Sequence, residues 1–344
     1  MRIGQTVARL ILSPSVSACN AKKDGSRLNM RARHTAYRPL RVGDWVRVRD
    51  WTDIAPTLDD EGTCEGLPFM AEMSRFCGTT QRVCKRAERT RVDGAGMAWL
   101  SGTLHLHGVR CDGSAHSDCA RGCLLFWKEQ WLERLGEREA KLDRTHGTLS
   151  GNCRMRCGLH TGASLCQSAS LIHISSPLRW WTLKQYVHDL DCGNARPHQL
   201  AFALSFGALN RLWRLCSKHE YRQLIGQEAL TPTDSLRLRS GEWVRVKCAR
   251  EIRCTLDTNG RNRGLQFMPE MRSFCGRRLQ VHRPVRTFIS DVTGKVHSMA
   301  NTVTLANAVC DGARRRNCPR GCYFLWREVW LRRENGSVGT ACSE

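Results

Sequence analysis

Several features are missing from the 344-residue sequence, and each absence narrows the range of functions. No apolar run approaches the roughly 20 residues that a membrane-spanning helix needs, so we expect no transmembrane segment. No P-loop, dinucleotide fingerprint, Gly-x-Ser-x-Gly or His-Glu-x-x-His pattern occurs. The common nucleotide-dependent, hydrolase and zinc-peptidase mechanisms therefore have no support in the sequence, which favours a binding protein over an enzyme.

Acidic residues are in the minority. The chain has 32 Asp and Glu against 54 Lys and Arg, which gives a formal net charge of +22. Such a charge indicates a polyanionic partner, although arginine enrichment from a GC-rich coding sequence would produce the same count. We expect a macromolecular partner, either a protein or a nucleic acid.

Cysteine, by contrast, is abundant, at 19 residues. In a secreted protein such cysteines indicate disulfides, and in a cytosolic one they indicate metal ligands or reactive thiols. Residues 1–39 are predicted to be a basic, disordered leader, with a cytoplasmic location. The alternative is a lipoprotein anchored at Cys19, because a short apolar stretch ends in Val-Ser-Ala-Cys.

The most informative feature is an internal repeat. Residues 41–78 align without gaps on residues 239–276, with about half of the positions identical. The match resumes at Cys-Asp-Gly and again at "CARGCLLFWKEQWLER" against "CPRGCYFLWREVWLRR". This pattern predicts a first cysteine-rich module (residues 40–136), a spacer (137–233), a second module (234–335) and a tail (336–344).

Each module has the pattern of a small β domain. Trp-Val-Arg-Val after a Gly-acid turn alternates apolar and polar residues, as a half-buried strand does. The final Trp-bearing segment is expected to return to this first strand. The predicted fold is mainly β with a helical insert: two SH3-like small β-barrel modules flank an α-helical hairpin.

The hairpin is predicted at about residues 177–220. Ser176 and Pro177 have the pattern of a helix start, and Gly193 with Asn194 that of a stop. The aromatic residues of this segment are expected to pack in the core rather than form a nucleic-acid platform; these are Trp180, Trp181, Tyr186 and Trp213.

Four cysteines per module stand at equivalent positions, and three of them have the spacing C-x7-C-x3-C. Four thiolates can bind zinc or an iron–sulfur cluster, while disulfides and plain core packing without a metal remain alternatives. Zinc is the favoured prediction. The predicted ligands are Cys77, Cys111, Cys119 and Cys123 in the first module and Cys275, Cys310, Cys318 and Cys322 in the second.

The chain resembles an uncharacterised bacterial Cys-rich family. The shared pattern is G-[DE]-W-V, F-M-x-E-M-x-x-F-C-G, C-D-G and C-x3-C, and some members carry a C-Q stretch that leads into Ser-Pro-Leu-Arg-Trp-Trp, here at Cys166-Gln167. The resemblance covers most of residues 40–335 and implies no activity.

Three alternative functions would each depend on a few residues. A nucleic-acid-binding protein would use the basic residues of the second cysteine loop: Arg314, Arg315, Arg316 and Arg320. A redox or metal-transfer protein would use the cysteine clusters themselves. A catalytic site at Cys111, Asp112 and His116 would belong to the first module alone. Glu72 and Glu270 are expected at helix ends or paired with arginine.

Overall fold

A computed structural model describes residues 38–145 and 166–334 of the chain. All elements below belong to the unit Leu40–Glu344, and residues 1–37 of the predicted leader lie outside the described residues. In its first part the elements are β1 (Trp45–Val48), α1 (Trp51–Ile54), β2 (Thr63–Cys64), β3 (Leu67–Pro68), β4 (Thr80–Arg86), β5 (Arg89–Val92), β6 (Gly96–Trp99), β7 (Thr103–Leu106), β8 (Trp127–Lys128), β9 (Leu132–Leu135) and α2 (Glu137–Thr145).

The rest of the described chain continues the numbering. The middle part holds α3 (Gln167–Ile174), β10 (Ser176–Pro177), α4 (Lys184–Asp191) and α5 (Pro197–Cys216). The last part holds β11 (Trp243–Val246), α6 (Ala249–Arg253), β12 (Arg261–Asn262), β13 (Leu265–Gln266), β14 (Arg278–Pro284), β15 (Thr287–Ile289), β16 (Val296–Ser298), β17 (Thr302–Val309), β18 (Tyr323–Arg327) and β19 (Leu331–Arg333).

Two five-stranded antiparallel sheets dominate the fold. Their strand orders are β8-β7-β4-β1-β9 and β18-β17-β14-β11-β19, so position for position they are the same. The last strand of each sheet returns to the first, as the sequence predicted. Val46 and Val48 point into the core, and Val244 and Val246 do so in the second sheet. The protein is therefore mainly β, and it contains several sheets.

Each sheet covers its own apolar core. Phe69 meets the rings of Trp127 and Trp131 edge to face, at centroid distances of 6.2 and 5.3 Å. Phe267 meets Trp326 and Trp330 in the same way, at 6.2 and 5.3 Å. Such edge-to-face pairs stabilise the core beyond what the burial of the aromatic rings contributes.

The middle part of the chain is attached to the first sheet region. The Gln167 amide bonds the backbone of Phe126 and Pro68, and Leu171 of α3 is fully buried in the first core. β10 pairs with β6, so the predicted helix start at Ser176 and Pro177 is wrong: these residues form a strand, and the helix begins at Lys184. The predicted stop is confirmed, because α4 ends at Asp191 and Gly193 follows with φ +81°.

The aromatic side chains of this region were expected in the core, and three of them are not. Trp180, Trp181 and Trp213 are 49%, 57% and 44% exposed, while Tyr186 is buried and donates to the carbonyl of Trp180. Within residues 38–145 and 166–334, no helix is both long and apolar enough to cross a membrane.

Candidate metal centre

The first cysteine loop, residues 111–123, is held in a tight turn. The Cys111 amide donates to the Cys123 carbonyl at 2.8 Å, and the His116 amide donates to the Gly113 carbonyl at 3.1 Å. Gly113 has φ +83°, and a Cβ atom there would lie 2.2 Å from the Cys119 carbonyl oxygen. Only glycine fits this position, which explains why a glycine follows Cys-Asp at the start of the loop.

The short 3-10 helix Ala71–Phe76 brings Glu72 to this loop. The Cys111 sulfur lies 3.3 Å from Glu72 Oε1 and 3.4 Å from His116 Nε2. His116 Nδ1 lies 3.4 Å from the same Glu72 oxygen. The three side chains are buried, and their ligand atoms all lie within 4.8 Å of one another, so the group could hold a metal ion.

One carboxylate oxygen of this group has no hydrogen-bond donor among the described residues. This atom is Glu72 Oε2, and it is buried. Burial raises the pKa of the Cys111 thiol far above its ordinary value, and nearby Cys123 and Glu72 raise it further. A buried carboxylate requires a cation or a proton beside it, and a metal ion would meet that need while also favouring the thiolate.

A small cavity adjoins the group. Its volume is about 10 Å³, which is the space of roughly one water-sized sphere. Cys111 and His116 line it together with three further cysteines, Cys119, Cys123 and Cys166. The cavity is therefore the size of a single small ion and is rich in sulfur.

A catalytic arrangement of Cys111, Asp112 and His116 does not form. The Asp112 carboxylate pairs with Arg75 on the surface. Partial burial raises the Asp112 pKa, but the hydrogen bonds from Ser114 and, after them, the contact with Arg75 lower it to about 2. Glu72, and not Asp112, faces the imidazole. A buried thiol with a raised pKa is a poor nucleophile, so the geometry suits metal binding better than covalent catalysis.

The eight predicted ligands are distributed over several environments. Cys111, Cys119 and Cys123 line the small cavity, and Cys77 lies among the residues of the first core. In the second module the three loop cysteines line a separate cavity, whereas Cys275 packs against the second core. The Glu72 group is the only set of three or more ligand residues that the described residues bring so close, and the eight-cysteine ligand set stays a prediction.

The second module replaces the imidazole with a guanidinium group. Arg315 aligns with His116, and its Nε donates to Glu270 Oε1 at 3.0 Å. Its Nη1 lies 3.4 Å from Glu220 Oε1. The expectation of a helix end or an arginine partner is therefore confirmed for both glutamates: Glu72 lies in the first turn of its 3-10 helix, and Glu270 pairs with Arg315. The nearest side chains to Glu72 are a thiol and an imidazole.

Two residues of the centre are not among the predicted ligands: Glu72, which lies at a helix end as expected, and His116, which the sequence suggested only as a catalytic residue. Cys166, which lines the neighbouring cavity, is also absent from the predicted ligands. Cys166 packs against Cys119 and Ile289, and burial raises its pKa to about 12. All fifteen cysteines in the described part of the chain are free of disulfides, and Cys19 lies outside that part.

The four arginines predicted for nucleic-acid binding have different environments. Arg320 is buried and donates to Asp291 at 2.8 Å and to Ser168 at 3.0 Å, so its role is structural. Arg315 is engaged by Glu270, while Arg314 and Arg316 line a cleft that α5 covers.

Comparison with known proteins gives no further assignment: no family model, curated protein or solved structure matches the chain.

Proposed function

We propose that the protein is a non-enzymatic binding protein whose first module is stabilised by one zinc ion held by Glu72, Cys111 and His116. The observation that carries the proposal is the convergence of these three buried ligand types within 4.8 Å of one another. Residues 39 positions apart in sequence meet there, so an ion would tie the 3-10 helix to the cysteine loop.

The donor set favours zinc. Thiolate, imidazole and carboxylate are its usual ligands, and four-coordinate geometry is its usual choice in structural sites. The neighbouring wall supplies three candidates for the fourth ligand: Cys119, Cys123 and Cys166. An iron–sulfur cluster is less well supported, since it requires several thiolates at one point and the tight group contains one.

The second module would do without the ion. Arg315 brings a permanent positive charge to Glu270, the position that aligns with Glu72. A guanidinium group there neutralises the carboxylate and joins the same two segments through hydrogen bonds. We therefore expect one metal ion per chain rather than two.

The wider role follows from the duplicated architecture. The SH3-like barrel form of both modules remains part of the proposal, and such barrels expose loops and strand edges to partners. Two of them in one chain could bind a macromolecular partner bivalently.

The test is the metal content of the purified full-length chain, measured by mass spectrometry. We expect about one equivalent of zinc, lost in His116→Arg, which copies the second module, and retained in His107→Ala, which changes an exposed neighbour. A chain that neither carries nor takes up zinc would overturn the proposal. Two equivalents, halved by Cys119→Ser and by Cys318→Ser, would instead support two cysteine-rich sites.

A further inference from the structure

We propose that the cleft between α5 and the second cysteine loop binds nucleotide phosphates, with a base stacked on an adjacent tryptophan. The cleft has a volume of about 430 Å³, within the range of ligand pockets. It is distinct from the metal centre, because none of Glu72, Cys111 and His116 lines it.

The first argument is charge. Six arginines line the cleft, against the carboxylates of Glu220 and Glu270, so six positive minus two negative charges leaves a formal charge of +4. Both carboxylates are already paired: Glu220 with Arg214 and Glu270 with Arg315. Arg91 also pairs with Asp93 at 3.9 Å, so Arg211, Arg314 and Arg316 are the arginines left to attract an anion. The six are Arg91, Arg211, Arg214, Arg314, Arg315 and Arg316.

The second argument is an unsatisfied donor. Arg314 Nη1 is buried, and no described residue accepts a hydrogen bond from it. The guanidinium lies 5.0 Å from the centre of the Phe206 ring, which holds it at the cleft wall. Burying a charged donor without a partner is costly, and a phosphate oxygen is the acceptor that a guanidinium group binds best.

The third argument is the exposed aromatic surface beside the arginines. Trp180 is 49% exposed, and the guanidinium of Arg211, which lines the cleft, lies 5.6 Å from the Trp180 ring. Trp181 is 57% exposed and meets Trp180 edge to face. Cationic grooves combined with exposed rings are how proteins bind single strands without reading sequence, because every base has a stacking face.

The cleft is specific to the second module. The aligned positions of the first loop carry Ser114, Ala115, His116 and Ser117, where the second loop carries Ala313 and three arginines. α5 packs on the second loop, at the turn Ala313–Arg315. Free nucleotides and single-stranded nucleic acid share the chemistry that this cleft would recognise. An acidic peptide would match the charge but would leave the indole rings unused.

The test is fluorescence anisotropy of the full chain with a labelled 12-nucleotide single-stranded RNA, competed by ATP, by tripolyphosphate and by an oligoglutamate peptide. We expect Arg314→Gln with Arg316→Gln to weaken RNA binding about tenfold. The salt slope should fall by about 1.4, which is two phosphate contacts on a single strand. Trp180→Ala should weaken RNA binding roughly tenfold and leave tripolyphosphate binding unchanged.

A matched control removes the same charge elsewhere. Arg250→Gln with Arg253→Gln changes two exposed arginines of α6, and we expect less than a twofold effect. Competition by ATP as strong as by RNA would identify a free nucleotide as the ligand, in agreement with the proposal. Two results would overturn the proposal. One is that both double variants weaken RNA binding equally, and the other is that oligoglutamate displaces RNA as effectively as tripolyphosphate does. Metal content is expected to be the same in all four proteins.

Discussion

The two cysteine loops, residues 111–123 and 310–322, share their cysteines and their first three residues but differ at six positions between them, of which His116 against Arg315 matters most here. Each starts with Cys-Asp-Gly, and each glycine lies so close to a later cysteine carbonyl that no Cβ would fit. Each loop faces a glutamate from a 3-10 helix. His116 in the first loop leaves that glutamate in need of a cation, whereas Arg315 in the second supplies one. The difference shows two ways to stabilise the same buried carboxylate.

The loops are also alike in how they hold the opposite half of the molecule. Ile289 of β15 donates its amide to the Cys119 sulfur at 3.4 Å, and Arg91 of β5 donates to the Cys318 sulfur at 3.4 Å. The donors occupy aligned positions, as do the sulfurs. Each of these two sulfurs therefore accepts a backbone hydrogen bond from the other module. This contact explains why both modules have a cysteine at this position, and it requires no metal.

The sharpest asymmetry between the halves is at β5 and β15, where Arg89 aligns with Thr287. The Arg89 side chain is fully buried and bonds Asp189 Oδ2 from Nε at 2.7 Å and the Arg316 carbonyl at 2.6 Å. Arg89→Ala would leave the buried Asp189 carboxylate without its cation, so we expect a loss of about 3–5 kcal/mol in the free energy of unfolding. Urea denaturation of the full chain measures it.

Thr287→Ala is the matched change in the other half. The Thr287 hydroxyl donates to the Asp118 carbonyl at 2.9 Å in an exposed setting, so its loss should cost under about 1 kcal/mol. If both variants were destabilised equally, the ion pair would not be the source of the difference between the halves.

A second asymmetry is the buried histidine of β7. His105 is fully buried, bonds the Leu125 carbonyl through Nδ1 at 2.9 Å and aligns with Thr304 of β17. Burial lowers its pKa to about 4; the positive charges of Arg320 and Arg110 act in the same direction, and the bond to the Leu125 carbonyl opposes them. The unfolded chain therefore binds a proton between about pH 6.5 and 4 that the folded chain does not bind.

It follows that His105 makes stability fall as the pH falls through this window. The loss approaches about 3 kcal/mol by pH 4, at roughly 1.4 kcal/mol per pH unit. Replacing His105 with threonine, the residue of the second module, should flatten urea-unfolding stability between pH 6.5 and 4.5 relative to the native chain. The same pH dependence in native protein and variant would assign the effect to other groups.

The sequence predicted what depends on local pattern. Alternation placed Val46 and Val48 inside, and the repeat indicated that equivalent strands would recur. The position of Glu72 at a helix end could be predicted, but its contact with Cys111 could not, because the two residues are 39 positions apart and nothing local shows which loop a turn will face. Ser176 forms a strand because β6 offers it a pairing edge. The helical spacing of the tryptophans indicates that they share one face, but it does not show whether another element packs on that face. Trp213 is 44% exposed.

The smallest difference between the two halves is expected where their contacts match. Trp131 Nε1 donates to Thr57 at 2.9 Å, and Trp330 Nε1 donates to Thr255 at 3.0 Å, with both indoles fully buried. Thr57→Val and Thr255→Val would each leave a buried indole N–H without an acceptor, at a cost of about 1–2 kcal/mol in unfolding free energy. The exposed Thr293→Val should stay within about 0.5 kcal/mol of the native chain in the same urea titration. Because the hydrogen bond, the burial and the ring packing match, the two losses in unfolding free energy should agree closely. A large difference between them would mean that the two halves have the same strand order but differently stabilised cores.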